Sequence, residues 1–343
     1  MVHGTQDETA EPAAGIHARA LRLSATPGHL IRRAQQVHTA LWAERLHAEL
    51  TGPQYAVLVS LAQEPGIDQT RLAELASLDK NTTADLVRRL VRQGWVIRSV
   101  DDGDLRRRVL WLSTPAKVAM RHITPAAKLV QEDLLEPVPD GQRSAVVEML
   151  ASIAFQEGAP ASAAAPGDVP VLAQSRTPGY LIRRSQQVHG GIWSRHVGTE
   201  LTGPQYAVLA ALAAEPGADQ VTVGRLASLD KSSTADIVAR LERGGWIRRA
   251  NRPGSGRRSV LTLTPAAEEN LDRLTPRVAA VQEEFLSPLS PGETRSFTSL
   301  LARIAYRGSP PREGLATPRI GTGGLPAARR APGGVAAAVA GIH

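Results

Sequence analysis

Lys80-Asn81-Thr82-Thr83-Ala84-Asp85-Leu86-Val87-Arg88 and Lys231-Ser232-Ser233-Thr234-Ala235-Asp236-Ile237-Val238-Ala239 are the stretches of this chain best equipped for chemistry, and that chemistry is hydrogen bonding. Wound as a helix, the first puts Thr83, Leu86, Val87 and Leu90 on one face and Asn81, Asp85, Arg88 and Arg92 on the other. The apolar face must pack on the protein, which leaves the polar, arginine-bearing face outward. Small hydrogen-bonding side chains near a helix start, flanked by cations, are what reading base edges in a DNA major groove requires. The candidate contacts are Lys80, Asn81, Thr82, Asp85 and Arg88, and in the second stretch Lys231, Ser232, Ser233 and Asp236. Arg106, Arg107 and Arg108, matched later by Arg257 and Arg258, add cations whose planar, weakly hydrated heads suit phosphates and narrow minor grooves. A solvated amphipathic helix and ordinary surface charge would look the same if each stood alone. The segments on either side decide for DNA.

A second constellation pairs histidine with tryptophan and arginine: Arg33, His38 and Trp42, then Arg184, His189 and Trp193. It reads either as a small-ligand pocket with Arg33 or Arg184 as counter-charge, or as a partly buried structural histidine between helices. The structural reading is the favoured one. No Glu-x-x-His or His-Glu-x-x-His cluster and no glycine-rich phosphate loop occurs, so neither a catalytic site nor a metal or other cofactor is expected.

The elements that position these residues follow from local signals. Thr26 before Pro27 reads as a cap and first helical position, and Leu30, Ala34, Val37 and Leu41 then form an apolar stripe. Thr51-Gly52-Pro53 opens a second helix that Pro65-Gly66 stops. A short helix from Asp68 to Ala76, a tight turn at Leu78-Asp79 and a longer helix from Lys80 to Gln93 come next, the last ended by Gly94. Trp95 to Arg98 and Val109 to Leu112 alternate as strands around the polar turn Asp101-Asp102-Gly103-Asp104. Two more helices are expected, over about 116–134, interrupted near Pro125, and over 140–155. A short helix, a turn, a longer helix and a hairpin make a winged helix-turn-helix.

All of this occurs twice. The strings LTGPQYAVL at 50–58 and LASLDK at 75–80 return at 201–209 and 226–231, at one constant offset of 151 residues from Thr26–Thr177 onward. A repeat of this length is a domain, not a solenoid unit. The 343 residues therefore read as a loose arm (1–25, with a short helix near 17–23), domain 1 (26–156), an Ala/Pro/Gly-rich linker (157–175), domain 2 (176–307) and a disordered tail (308–343). The linker is long enough for the two copies to pack as the halves of a homodimer do. The fold class expected is mainly α with small β-hairpin wings: tandem winged helices forming an intramolecular pseudo-dimer.

Net charge is +7 and pI about 10.3, which permits nucleic-acid binding. Only four of the 40 basic residues are lysine, yet Lys80 and Lys231 fall at the same repeat position, where a helix begins. Cysteine is absent, and no apolar run long enough to span a membrane and no secretory start are seen, so a cytoplasmic protein is expected.

On these motifs, with LASLDKNTTADLVRRLVRQGWVIR and the Asp104-x-Arg106 wing as the most specific, each repeat resembles a MarR-type regulator over about 26–156 and 177–307. The resemblance implies a helical dimer interface, two winged helices on a palindromic operator, an ion pair between Asp104 and Arg106, and a small anionic or phenolic effector bound between the two parts. The copies differ where they would read DNA. Asn81 becomes Ser232, Arg88 becomes Ala239 and Asp104 becomes Ser255, so an imperfect inverted repeat, read more strictly under Arg88, is expected. The function expected is a ligand-responsive repressor, with double-stranded DNA as partner and one chain acting as a pseudo-dimer, whether or not chains associate further. A winged-helix protein-interaction scaffold and a DNA-binding architectural protein without a ligand are the rival readings.

Overall fold

The computed structural model of the chain describes residues 20–46, 50–101, 103–156, 158, 169–251 and 259–308. The N-terminal arm up to residue 19, most of the expected linker, the second wing tip with Arg257 and Arg258, and the tail beyond 308 lie outside the described residues. A chain of twelve helices and four strands is present among them. The first repeat supplies α1 (Pro27–Leu46), α2 (Gly52–Gln63), α3 (Gln69–Ala76), α4 (Lys80–Arg92), β1 (Val96–Val100), β2 (Arg108–Leu112), α5 (Thr114–Leu135) and α6 (Arg143–Ala154). The second supplies α7 (Pro178–His196), α8 (Gly203–Ala214), α9 (Gln220–Leu226), α10 (Lys231–Arg243), β3 (Ile247–Asn251), β4 (Ser259–Leu263), α11 (Pro265–Leu286) and α12 (Pro291–Tyr306). The tandem winged-helix fold expected from the sequence is the fold observed.

The compact units do not coincide with the repeats. One gathers the described residues of Leu30–Ile192 and Glu284–His343, and the other those of Met1–His29 and Trp193–Glu283. Helices α7 and α12 of the second repeat thus share a core with α1, α5 and α6 of the first. The signature of this mixing is arginine on helix ends. Arg33 donates from Nε to the Ala305 carbonyl at 2.8 Å and lies 4.3 Å from the centre of the Tyr306 ring. Arg184 does the same to the Ala154 carbonyl, at 2.7 Å, over Phe155. A guanidinium there satisfies a carbonyl that the helix end leaves open and meets the negative end of the helix dipole. These two arginines, which the less favoured reading of the sequence offered as counter-charges for a ligand, each hold the end of a helix from the other repeat.

One helix expectation holds and one is corrected. Helix α1 begins at Pro27, directly after Thr26, whose hydroxyl also donates backward to the Arg22 carbonyl, and the amide of Gly28 is taken by Gln282 Oε1 at 2.8 Å. In the larger unit the amide of Gly179 is taken in the same way by Gln131 Oε1, also at 2.8 Å. And α5 is not interrupted at Pro125. The proline has no amide to offer the carbonyl of residue 121, and Arg121 is on the exposed side of the helix. Thr124, on the buried side, is fixed by accepting from the Tyr55 hydroxyl at 3.2 Å and donating to the Pro170 carbonyl at 2.8 Å.

Each winged helix is built as its capping residues dictate. Thr51 and Gln54 close a capping box on α2, Asp68 caps α3 and Asp79 caps α4. Ser77 turns the chain between α3 and α4 in the left-handed region, at φ 49°. β1 and β2 pair antiparallel with Val96 opposite Leu112 and Val100 opposite Arg108, and Ile67 bridges to Leu110. Leu86, Val87 and Leu90 of α4 are buried, as its periodicity requires.

Candidate nucleic-acid interface and effector cavity

The start of α4 is organised by one carboxylate. Asp79 accepts the amide of Thr82 at 2.9 Å and its hydroxyl at 2.5 Å. These bonds hold the Asp79 carboxyl below its ordinary range, the Thr82 hydroxyl contributing most. At the start of α10, Asp230 accepts the Ser233 amide (2.8 Å), the Ser233 hydroxyl (2.6 Å) and the Ser232 hydroxyl (2.7 Å). Its carboxyl is pushed down further, by the Ser233 hydroxyl first, then the Ser233 amide and the Ser232 hydroxyl. Lys80, Asn81, Asp85 and Arg88 are exposed and Thr82 half-buried; Lys231, Ser232 and Asp236 are exposed and Ser233 half-buried. All nine candidate readers therefore lie at the open starts and outer faces of α4 and α10.

Asp85 and Arg88 pair one helical turn apart on α4. At that exposure such a pair is worth less than about 1 kcal/mol. The equivalent Asp236 faces Ala239 and has no ion pair among the described residues.

The first wing departs from the expected pattern. Asp104 accepts the backbone amide of Arg106 at 3.0 Å and forms no ion pair with its side chain, which stays exposed. The wing is pinned by Arg107 instead, which reaches Asp68 at 3.1 Å and Asp101 at 3.4 Å. The Arg106 side chain stays exposed while Arg107 ties the wing to the α3 cap. The sequence missed Arg98 and Arg249, which bond Gln69 and Gln220, each at 3.2 Å, and join the hairpin to the helix-turn-helix in both copies. Their identical repeat positions were the available signal.

A cavity of about 20 Å³, room for a water, lies in the larger unit between α1, α2 and α5 of the first repeat and residues 172–183 of the second. His38, Trp42, Tyr55, Gln131, Tyr180 and Arg183 are among its walls. His38 is buried at 3% exposure, and burial, aided by the Arg183 charge, pushes it down to about 3, so its ring is neutral. Gln131 Nε2 stands 3.4 Å from His38 Nε2, placed to donate to an unprotonated ring nitrogen. The ring lies so close to Gly179 that any Cβ there would meet it at 2.1 Å. Trp42 and Trp193 are tied by their indole N–H to the carbonyls of Leu50 and Leu201. His189 packs edge-on against Phe285, and burial, with Arg32 next, pushes it down to about 4.

Of the arginines, the cavity takes Arg183 and not Arg184. Arg183 donates from Nη2 to the Ala76 carbonyl at 2.7 Å, while its buried Nε has no hydrogen-bond partner. The same face of α7 holds the turn before α4 at other points. The Tyr180 hydroxyl donates to the Leu75 carbonyl (2.9 Å) and accepts from Ser77 (2.8 Å), and Gln187 donates to the Ser77 carbonyl (2.8 Å). The end of the expected linker is docked as well, Gln174 donating to Ser60 Oγ at 3.2 Å.

Two helix-turn-helix motifs with exposed polar reading faces, each followed by a hairpin, define a winged-helix DNA-binding protein. Residues 50–107 and 199–258 each match a model described as the MarR family. The chain is 38% identical over 107 residues to transcriptional regulator HosA of Escherichia coli, an alignment covering 31% of this chain and 78% of that protein. It is 28% identical over 124 residues to the HTH-type transcriptional repressor NicR of Pseudomonas putida, covering 36% and 78%. A crystal structure of the PcaV transcriptional regulator from Streptomyces coelicolor with its natural ligand is 43% identical, covering 40% of this chain and 96% of that one, at a TM-score of 0.38. The chain belongs to the MarR family and is a DNA-binding transcriptional regulator. Among the described residues no helix is long and apolar enough to cross a membrane.

Proposed function

We propose that this chain is a cytoplasmic, non-enzymatic, ligand-responsive repressor that reads both halves of a pseudo-palindromic operator with its own two domains. Lys80, Asn81, Asp85 and Arg88, with the Thr82 hydroxyl, read one half, and Lys231, Ser232, Ser233 and Asp236 the other. Arg106 grips the phosphates or the minor groove beside the first half, and Arg257 and Arg258 do so beside the second. The name repressor carried by NicR supports the sign of regulation.

The observation that carries the ligand response is Arg183. One guanidinium holds the last turn of α3 through Ala76, has a buried Nε without a hydrogen-bond partner, and belongs to a residue that lines the cavity with His38. A buried donor left unpaired costs roughly 1–3 kcal/mol, and a carboxylate would relieve that cost. The neutral His38 ring, the Tyr55 hydroxyl and the Trp42 ring suit a small aromatic acid bearing a phenol. At about 20 Å³ the cavity must open to admit a ring, and the walls that yield include the α7 segment holding the turn before α4. Effector binding is thereby opposed to the DNA-binding arrangement.

The test is a gel shift with promoter fragments from the protein's own genome, repeated with a panel of benzoates and hydroxybenzoates. The expected result is retention of a fragment by wild type, release by at least one acid, and loss of that release in Arg183→Ala. If fragments are retained but no acid releases them, the protein is architectural. If none is retained, its domains do not read DNA.

A further inference from the structure

The hydrogen-bond polarity of the two reading helices differs, and the difference specifies bases. At the start of α10 the Ser232 and Ser233 hydroxyls each give their single proton to Asp230, at 2.7 and 2.6 Å. What they present outward is lone pairs only. One turn further on, Asp236 adds a carboxylate with no ion pair among the described residues, because Ala239 stands where the first repeat has Arg88. At the start of α4 only Thr82 is committed in this way, to Asp79. Asn81 is exposed and its amide makes no side-chain hydrogen bond among the described residues, so it offers donor and acceptor together. Asp85 is neutralised by Arg88.

We infer that the outer face of α10 from Ser232 to Asp236 is an acceptor-only reader that selects cytosine, where α4, with Asp85 held by Arg88, selects adenine through Asn81. Only adenine and cytosine present an amino donor in the major groove. Adenine sets its N7 acceptor beside that donor, and N7 repels a carboxylate. Cytosine presents the amine alone, which is why acidic side chains pair with cytosine N4 and amides with adenine. Lys231 and Arg240, also exposed, flank this face and offset the charge of Asp236 against the phosphates. The two half-sites therefore differ in kind, not merely in stringency.

This inference rests on the proposed DNA reading, and its test keeps the two apart. Binding sites are selected from random duplex DNA with the full chain, as wild type and as the Asp236→Asn and Ser232→Asn variants. Wild type should enrich an asymmetric site with a cytosine in one half that has no counterpart in the other. Asp236→Asn should move that position from cytosine to adenine, with about a tenfold exchange of relative affinity, the size of one good base contact. Ser232→Asn should bring the second half toward the adenine read by the first. Thermal midpoints equal to wild type would show both variants folded. A consensus that enriches in wild type but keeps the same bases in both variants overturns the inference and leaves DNA reading intact. No enrichment with any of the three proteins overturns the DNA reading itself, and this inference with it.

Discussion

Replacing Gln131 by methionine isolates the device that joins the two repeats. The side chain keeps its length and loses only its amide. In the native protein Oε1 takes the Gly179 amide at 2.8 Å, and Nε2 reaches the Ala127 carbonyl at 3.3 Å and the His38 ring at 3.4 Å, all at 7% exposure. The variant leaves the Gly179 amide, at the first turn of α7, buried without an acceptor. That costs roughly 1–3 kcal/mol, against which burying a thioether returns about 1 kcal/mol. The net loss, up to about 2 kcal/mol, lowers the midpoint of a unit of this size by up to about 6 °C. Thermal unfolding of the full chain at neutral pH, followed by circular dichroism, measures it. Gln282→Met should cost a similar amount, because Gln282 bonds the Gly28 amide at the same 2.8 Å. Hydrogen exchange at the Gly179 amide should quicken in Gln131→Met alone. A midpoint within about 1 °C of wild type, with unchanged exchange at Gly179, would show that the amide finds another acceptor and that the bond does not hold the repeats together.

Acid should destabilise the protein through its buried imidazoles. His38 titrates near 3 in the folded chain and near 6.5 when unfolded, so the unfolded state takes up the proton first. The stability from its neutral ring is complete above about pH 6.5 and declines as pH falls toward 3, by about 2 kcal/mol between pH 6.5 and 5. Urea midpoints at pH 7.5 and 5 should converge markedly in His38→Gln; an undiminished gap would refute the assignment. Gly66 has φ +77° and a Cβ there would stand 2.7 Å from the Trp111 ring, whereas Gly217 has the same φ and nothing within 4 Å. Gly66→Ala should therefore cost about 2–4 kcal/mol and Gly217→Ala only about 1 kcal/mol, as thermal midpoints would show, and equal losses would mean that Trp111 moves aside freely. Arg106→Ala should weaken binding to all sequences and reduce the slope of log affinity against log salt by about one, with Arg107→Ala loosening the wing instead. An unchanged slope in Arg106→Ala would place the wing off the phosphates.

Much of this protein is decided locally, and local decisions can be read from sequence. The 3.6-residue period placed Leu86, Val87 and Leu90 inside and Asn81, Asp85 and Arg88 outside, because a helix with one apolar stripe has a single way to pack. Thr51 and Asp68 marked helix starts because their side chains bond amides only three residues ahead. The repetition at a constant offset announced two similar domains and put Ser232 where the first has Asn81. What the sequence left undecided depends on which repeat meets which. The cavity takes its histidine from α1 and its arginine from α7, so the spacing of Arg33 and His38 within one helix had no bearing on it. Arg183 and Arg184 are adjacent and chemically identical. Only the path of α7 past the Ala76 carbonyl and the end of α6 makes one a wall of the cavity and the other a clamp. The same holds for the Gln131 cap on α7, where donor and acceptor lie in different repeats and no local pattern links them. Capping and periodicity are short-range effects that a chain carries in its order of residues. A shared cavity is a long-range one, and it exists only once the helices of both repeats have packed into one core.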